Sequence, residues 1–149
     1  MKGVVGFLFF MLFLAGFAFV MLQGRQMAES NLGGGGARIT GMDWRPVQVG
    51  TDAMPNDSGM FVRFAVDGSI SGNGGCNGFS GSLEKTDAGI AIGPLGATRR
   101  ACPPPVMDRE SAFFEALRKT TRFQSGSGRL QLLGDGDLLL AELVAGTDD

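Results

Sequence analysis

An unbroken apolar run near the start of the chain is its strongest pattern. Residues 4–22 include no charged or polar side chain. As an α-helix this run would be about 28 Å long, close to the thickness of the hydrocarbon core of a bilayer. We therefore expect residues 1–24 to form a hydrophobic helix that anchors the chain in a membrane, with Lys2 on the cytoplasmic side. A signal peptide cleaved near the small residues Gly16 and Ala18, or a buried core helix, are the alternatives.

A glycine-rich stretch follows the apolar run. Residues 33–36 are consecutive glycines, which hold neither a helix nor a strand well because glycine loses the most backbone entropy on folding. We expect residues 25–37 to form a flexible linker, in a coil of residues 23–37 that spans about 20 Å. A partly ordered loop is the alternative. The folded domain is then expected over residues 38–145, followed by a short tail at residues 146–149.

Beyond the linker, apolar residues recur at every second position, which is the period of a half-buried β-strand. The apolar side of the first such strand consists of Met60, Val62, Phe64 and Val66. The dipeptide Asp67–Gly68 follows directly. It predicts a hairpin with a type I′ turn, in which both central residues have positive φ.

Two further turn motifs, at residues 86–89 and 134–137, separate apolar segments. The predicted strand pairs are 79–83 with 90–92, and 129–133 with 138–143. Another strand is expected near residues 43–49, with Trp44 as a core anchor. Short strands at near-regular spacing predict a mainly β domain, either a small barrel or a sandwich.

One segment has the spacing of a helix. The three prolines at residues 103–105 should stop the preceding element, and Asp108 should cap a helix over about residues 109–120. Glu110 would then lie in the first turn, where a carboxylate meets the positive end of the helix dipole. The apolar stripe consists of Phe113, Ala116, Leu117 and Thr120. We expect this stripe to pack the helix as a lid on one end or face of the sheet.

The amino-acid composition limits the kinds of functional site that the chain can form. The net charge is -2 and histidine is absent, so no imidazole base and no histidine metal ligand are available. Acidic residues are scattered, and their spacing assigns no pair to a common cleft. No basic patch of the kind that binds nucleic acid is present. We therefore expect a protein that is not an enzyme and has no catalytic residues, no metal site, no cofactor and no nucleic-acid partner.

Glycines are concentrated around Cys76, between residues 69 and 81. A phosphate-binding loop would need a lysine and a helix after the glycines, whereas the residues from Phe79 onward have the pattern of a strand. The dinucleotide fingerprint fails because Asn77 stands where its third glycine would be. We interpret the cluster as a sharp turn, in which glycine and asparagine tolerate left-handed backbone conformations.

The chain has two cysteines, Cys76 and Cys102. Because both membrane-targeting interpretations export the domain, we expect a disulfide between them, with two separate buried thiols as the alternative. Closing a loop of about 27 residues would stabilise the fold by ~3.5 kcal/mol. A zinc site would lack ligands, and a redox pair would normally be spaced Cys-x-x-Cys. The neighbouring Asn77, Thr98 and Arg99 are candidate site residues that either satisfy backbone groups of the turn or contact a ligand.

Three motifs resemble the META domain family, which includes the heat-shock protein HslJ. They are Gly-Gly-Cys-Asn-Gly-Phe-Ser-Gly at residues 74–81, Ile-Gly-Pro-Leu at 92–95 and Thr-Arg-Arg-Ala-Cys-Pro at 98–103. The match extends over about residues 39–144. The resemblance implies a small open antiparallel β-barrel, lipocalin-like and similar to secretin pilot lipoproteins, with one α-helix. It also implies a bacterial envelope setting, a link to heat stress or antibiotic tolerance, and no established enzymatic activity.

The resemblance also bears on location. Relatives are often lipoproteins, whereas this chain has a long apolar segment and no cysteine directly after it. We therefore expect a protein anchored in the inner membrane with its domain in the periplasm. Secretion to the periplasm after signal cleavage is the alternative.

The predicted function is that of a stress-related binding module. An open barrel with a helical lid would expose an apolar groove to a lipid or an apolar peptide, and Phe113 and Phe114 are candidate lining residues. The alternative is that these side chains fill a closed core. Two further hypotheses are an envelope scaffold that contacts other membrane proteins without a small ligand, and a protease inhibitor that acts through a loop such as residues 97–105.

Overall fold

The computed structural model describes residues 39–146, and this part of the chain is mainly β with one α-helix, as predicted. The strands are β1 (Asp43–Val49), β2 (Asp52–Ala53), β3 (Phe61–Phe64), β4 (Ser69–Asn73), β5 (Gly78–Thr86), β6 (Gly89–Ile92), β7 (Gly96–Ala97), β8 (Arg122–Gly126), β9 (Arg129–Leu133) and β10 (Leu139–Ala145). The helix α1 spans Pro104–Lys119, and a short 3-10 turn at Asp135–Asp137 connects β9 to β10. The hydrophobic helix predicted over residues 1–24 and the linker predicted over 25–37 lie outside the described residues.

Across residues 39–146, no helix has both the length and the apolar character needed to cross a membrane.

The strands form one open antiparallel sheet in which neighbours in sequence are mostly neighbours in space. The order is β6–β5–β4–β3–β1–β10–β9–β8, with β2 paired to β1 and β7 paired to β5. Pairing of β1 with β10 brings the two ends of the domain together, with Trp44 opposite Ala145. Near the two outer strands of the sheet, the backbone N–H of Ile90 donates to the carbonyl of Thr121 at 2.9 Å. This hydrogen bond connects β6 to the residue that precedes β8.

Trp44 is a core anchor, as predicted, and only 1% of its surface is exposed. Its indole N–H donates to the carbonyl of Ile39 at 2.8 Å, so the polar atom of this buried ring has a partner. The other large side chains that are almost fully buried are Val62, Phe64, Ile70, Phe113, Leu117, Leu130, Leu132 and Leu143. They come from strands in both halves of the sheet and from α1, so the helix completes the hydrophobic core.

The helix is longer than predicted and begins at Pro104 instead of Arg109. Proline is favourable in a first helical turn because the N–H groups there have no partner within the helix. Pro103 occupies the N-cap position, so Asp108 lies inside the helix and does not cap it. The predicted apolar stripe is buried along its whole length: Phe113, Ala116, Leu117 and Thr120. The expected packing of this face against the sheet is therefore confirmed.

The hairpin between β3 and β4 differs from the predicted turn type. In the pair Asp67–Gly68 only Gly68 has positive φ, at 84°, so the turn is not of type I′. Val66 is 91% exposed and does not continue the buried face, because β3 ends at Phe64. The carboxylate of Asp67 stabilises the turn instead, since its Oδ1 accepts from the backbone N–H of Ser69 at 2.8 Å and from its hydroxyl at 2.7 Å.

Candidate functional site

The glycine cluster forms a tight turn between β4 and β5. The N–H of Gly74 donates to the carbonyl of Asn77 at 2.8 Å, and the N–H of Gly75 donates to Oδ1 of Asn73 at 2.7 Å. The chain continues from this turn into the strand β5 and not into a helix, as the sequence pattern predicts. The turn therefore lacks the helix N-terminus that a phosphate-binding loop provides.

Close packing and backbone conformation explain why glycine occupies particular positions in this turn and at Gly72 in the adjoining strand β4. A Cβ atom on Gly72 would lie 2.1 Å from the carbonyl oxygen of Phe61, and one on Gly74 would lie 2.6 Å from Cγ of Glu110. Gly75 has a φ of 105°, a conformation that residues with side chains rarely adopt. Two of these glycines thus permit close approach, and the third permits the backbone conformation of the turn.

The side chain at the centre of the site is Glu110, which sequence reasoning placed wrongly. We expected it in the first helical turn, but the early start of α1 places it further inside the helix, where it is 4% exposed. Its Oε2 accepts from the backbone N–H of Cys76 at 3.1 Å and from that of Asn77 at 2.6 Å, while Oε1 accepts from Nδ2 of Asn77 at 2.7 Å. The carboxylate therefore fixes the turn to the helix.

The predicted disulfide between Cys76 and Cys102 is present, and their Cα atoms are 6.0 Å apart. This separation is in the usual range for a bridged pair. The bond joins the glycine-rich turn to the residue just before the N-cap of α1. The turn is consequently held to the helix twice, once by the disulfide and once by Glu110.

Asn77 connects the turn to the segment that follows β7. Its Oδ1 accepts from the hydroxyl of Thr98 at 2.9 Å and from the backbone N–H of Arg100 at 2.7 Å. Its Nδ2 donates to the carbonyl of Arg100 at 3.3 Å as well as to Glu110. Because Asn77 is itself buried, these bonds link a surface segment to the interior of the domain. The backbone groups that the Asn77 side chain satisfies belong to Arg100, and not to the turn itself.

We call residues 98–102 the braced segment. It runs from Thr98, whose N–H donates to the carbonyl of Gly78 at 3.0 Å, to the disulfide at Cys102. No helix, turn or bend interrupts it, and Thr98, Arg99, Arg100 and Ala101 are all exposed. Arg99 is the candidate residue that does not join the hydrogen-bond network of Asn77. Its side chain lies on the surface between two residues whose atoms are held by that network.

The surface next to the braced segment is slightly concave. A shallow depression of about 610 Å³ extends from Ala97 and Thr98 across β5 and β4 to Phe61 and Arg63. The guanidinium of Arg63 contacts the carboxylate of Asp43 at 2.7 Å. The braced segment therefore borders this depression at Thr98.

A separate groove of about 420 Å³ runs along α1. Its apolar lining consists of Val49, Ala112, Ala116, Leu138, Leu139 and Leu140. Leu138 is 64% exposed, which is unusual for a large aliphatic side chain in this domain. An ion pair between Lys119 and Glu115, with 2.6 Å between their charged atoms, borders the same groove.

Of the two phenylalanines that we considered for ligand binding, Phe113 belongs to the core and Phe114 is partly buried against it. Phe113 is fully buried, and both Phe113 and Phe114 contact the ring of Phe79 edge-on, with centroid distances of 6.3 and 5.0 Å. Such edge-to-face pairs stabilise a core. Within residues 39–146, no three acidic or cysteine side chains are grouped closely enough to hold a metal ion.

The chain is similar to solved structures and matches one family of known proteins. The chain is similar to an NMR structure of a protein from Burkholderia xenovorans, with 25% sequence identity, a TM-score of 0.55, and coverage of 73% of this chain and 84% of that one. It is also similar to the crystal structure of a DUF4847 family protein from Bacteroides vulgatus, with 17% identity, a TM-score of 0.54, and coverage of 74% and 96%. No curated protein matches. The family model of the META domain matches residues 37–144, so the chain belongs to the META domain family.

Proposed function

We propose that this chain is a non-enzymatic binding module of the cell envelope that engages a partner protein through the braced segment. One observation carries the proposal: the buried side chain of Asn77 forms hydrogen bonds with the exposed braced segment. Asn77 uses both polar atoms of its amide for this purpose, and the disulfide at Cys102 fixes the far end. If residues 98–102 only connected β7 to α1, they would not require hydrogen bonds from the buried amide of Asn77.

Rigidity of an exposed segment favours binding for an energetic reason. Ordering the backbone of a free segment costs about 1–2 kcal/mol per residue, and a flexible loop must meet that cost when it binds. In the braced segment the cost is met on folding, by the bonds at Thr98 and Arg100 and by the disulfide. More of the interaction energy with a partner then remains as affinity.

The envelope location forms part of the same proposal. A disulfide is stable in an exported domain, and residues 1–24 would anchor that domain to the inner membrane, or would be cleaved as a signal. The bond between Ile90 and Thr121 supports an open-barrel interpretation of the sheet. An HslJ-like, stress-related role would be one setting for such a module.

Site-specific photo-crosslinking in intact cells tests the partner. A photoreactive residue at position 99 should give discrete protein adducts, because Arg99 is exposed at the middle of the braced segment. The matched control is a photoreactive residue at position 66, which is 91% exposed but lies in the hairpin between β3 and β4. Identical adduct patterns at both positions, or none at either, would contradict the proposal.

A second candidate function is the binding of one acyl chain in the groove along α1, and the exposure of Leu138 favours it. A photoactivatable fatty acid added to the full chain should then label residues of this groove. Leu138→Asp should reduce the labelling because a charge disfavours an acyl chain. Val66→Asp, at another strongly exposed aliphatic residue, should leave it unchanged. Equal labelling of both variants would exclude the groove.

A further inference from the structure

We infer that the braced segment is a substrate-like inhibitory loop for a serine endopeptidase with an acidic primary specificity pocket, and that Arg99 enters this pocket. The inference rests on the proposed function, because it names the class of partner for the same surface. Such an enzyme binds an extended chain and recognises one cationic side chain in a pocket that contains a carboxylate. An inhibitor of this kind must present that side chain on a backbone that is already ordered before the protease binds.

The bonds of Asn77 lie on either side of Arg99. Its Oδ1 accepts from the hydroxyl of Thr98 at 2.9 Å and from the N–H of Arg100 at 2.7 Å, so one atom braces both neighbours of Arg99. The side chain of Arg99 itself is exposed and makes no hydrogen bond or ion pair within residues 39–146. A free cation therefore lies at the middle of a fixed stretch of backbone that no helix, turn or bend interrupts.

Charge favours Arg99 over other exposed side chains as the group that enters the pocket. A guanidinium forms charge-assisted, forked hydrogen bonds with a carboxylate. Arg100 is also exposed, but its backbone N–H and carbonyl are both bound to Asn77. Those groups are then unavailable to the extended pairing that a protease makes with the residue in its pocket. Arg100 is better placed directly after the bond that the protease attacks.

The same bonds predict the outcome of an attack on the peptide bond between Arg99 and Arg100. Hydrolysis breaks the C–N bond and consumes one water molecule, which leaves a carboxylate on Arg99 and an ammonium on Arg100. The disulfide joins Cys76 to Cys102, so the cleaved bond lies inside the covalent loop and the two fragments stay connected. Asn77 Oδ1 still accepts from the new ammonium, and Thr98 stays bound to Gly78.

Retention of both ends makes the segment an inhibitor and not an ordinary substrate. In a flexible loop the new ends separate and the products leave, whereas here they are held in nearly the same place. The leaving amine therefore stays close to the acyl group, and resealing of the bond competes with release. The complex persists and turnover is slow.

Inhibition of trypsin by the full chain, purified in nonionic detergent with its disulfide intact, is the direct test. The residual activity towards a small arginine-amide substrate should fall at an equimolar ratio of the two proteins. Trypsin whose nucleophilic serine is replaced by alanine should form a one-to-one complex with the chain. After long incubation the intact mass should increase by one water molecule, and the fragments 1–99 and 100–149 should separate only after reduction. Rapid hydrolysis at this bond without inhibition would overturn the inference.

Variants assign the role to one side chain. Arg99→Ala should weaken inhibition at least about 100-fold, as removal of an interface hot spot does, whereas the matched Arg118→Ala, at an exposed arginine of α1 outside the braced segment, should leave it unchanged. Arg99→Phe should transfer inhibition from trypsin to chymotrypsin, whose pocket is a hydrophobic slot. The fluorescence of the single tryptophan, the buried Trp44, reports whether each variant folds.

The outcomes separate this inference from the proposed function. If Arg99→Ala inhibits as well as the parent chain, or if Arg99→Phe gains no activity against chymotrypsin, the protease partner is wrong. Adducts at position 99 with a protein that is not a protease would leave the binding function in place while overturning the inference. Absence of both adducts and inhibition would overturn both.

Discussion

Glu110 and Asn77 face each other as a two-point contact: the carboxylate accepts the backbone N–H of Asn77 at one oxygen and its side-chain N–H at the other, at 2.6 and 2.7 Å. No cation is ion-paired with this carboxylate within residues 39–146. Three N–H groups compensate the burial of its charge instead. The hydrogen bonds of one helical residue thereby determine the shape of a turn in the sheet.

The first prediction concerns this carboxylate. Glu110→Gln keeps the shape of the side chain but replaces one acceptor oxygen by a donor that would face another donor. We expect the free energy of unfolding to fall by about 2–4 kcal/mol. Urea denaturation followed by the fluorescence of Trp44 measures it. The matched variant Glu115→Gln, at an exposed position of the same helix, should change stability little. Equal effects of the two variants would contradict the role of Glu110.

The second prediction separates two glycines of the cluster. Gly74→Ala places a Cβ 2.6 Å from Cγ of Glu110 and should cost about 1–3 kcal/mol, as overpacking does. Gly78→Ala meets no atom closer than 3.8 Å and should be neutral or slightly stabilising, since alanine restricts the unfolded chain. Thermal unfolding of both variants compares them. A Gly74→Ala variant as stable as Gly78→Ala would show that the close approach is not needed.

The third prediction concerns the disulfide. Replacing Cys76 and Cys102 together by alanine should lower the free energy of unfolding by about 3.5 kcal/mol, because the unfolded chain is no longer closed into a loop. We expect the turn to keep its native shape, since Glu110 still binds it. Denaturation gives the energy, and the amide chemical shifts of the turn report its shape. Loss of the native shifts would mean that the carboxylate cannot hold the turn alone.

The fourth prediction tests the brace. Asn77→Ala removes the acceptor of the Arg100 N–H, and hydrogen exchange at that amide should become faster by at least about 10-fold. The amide of Thr98 provides an internal control, because its bond to the carbonyl of Gly78 does not involve Asn77. Its exchange should change less. Unchanged exchange at Arg100 would show that another group holds the braced segment.

The fifth prediction concerns the acid range. The pKa of Asp67 is lowered, first by the backbone N–H of Ser69 and then by its hydroxyl. A folded pKa below the unfolded one adds stability above the unfolded value of about 4, and this stability is lost as the pH falls through the folded pKa. Ser69→Ala keeps the backbone bond, so the pKa should rise only part of the way to its ordinary value. A carbon-detected NMR titration measures it, and an unchanged pKa would contradict the contribution of the hydroxyl.

Local signals in the sequence were enough for most of the sheet. The hairpins around residues 86–89 and 134–137 and the strand at Asp43–Val49 depend on short-range alternation and on turn residues, which a single sequence displays. Strand β8 was missed because Phe123 is its only buried side chain, and its pairing with β9 determines its conformation. Tertiary context overrides propensity in such a segment.

The site was predictable only in part for a similar reason. Proximity to the cysteines identified Asn77 and Thr98, and the two do share a hydrogen bond. Glu110 could not be assigned, because its partners lie 33 and 34 positions away in the sequence and the proline run concealed the start of the helix. The part of Arg100 that matters is its backbone, which has no signature in the sequence.

The contact between Ile90 and Thr121 depends on the absence of a side chain at Gly89. A Cβ atom at position 89 would lie only 2.4 Å from the carbonyl oxygen of Thr121, the acceptor of that contact. Any larger residue at position 89 would therefore push β6 away from Thr121. Separated edges would present unpaired backbone groups to other molecules, which is the kind of surface through which β proteins associate with one another.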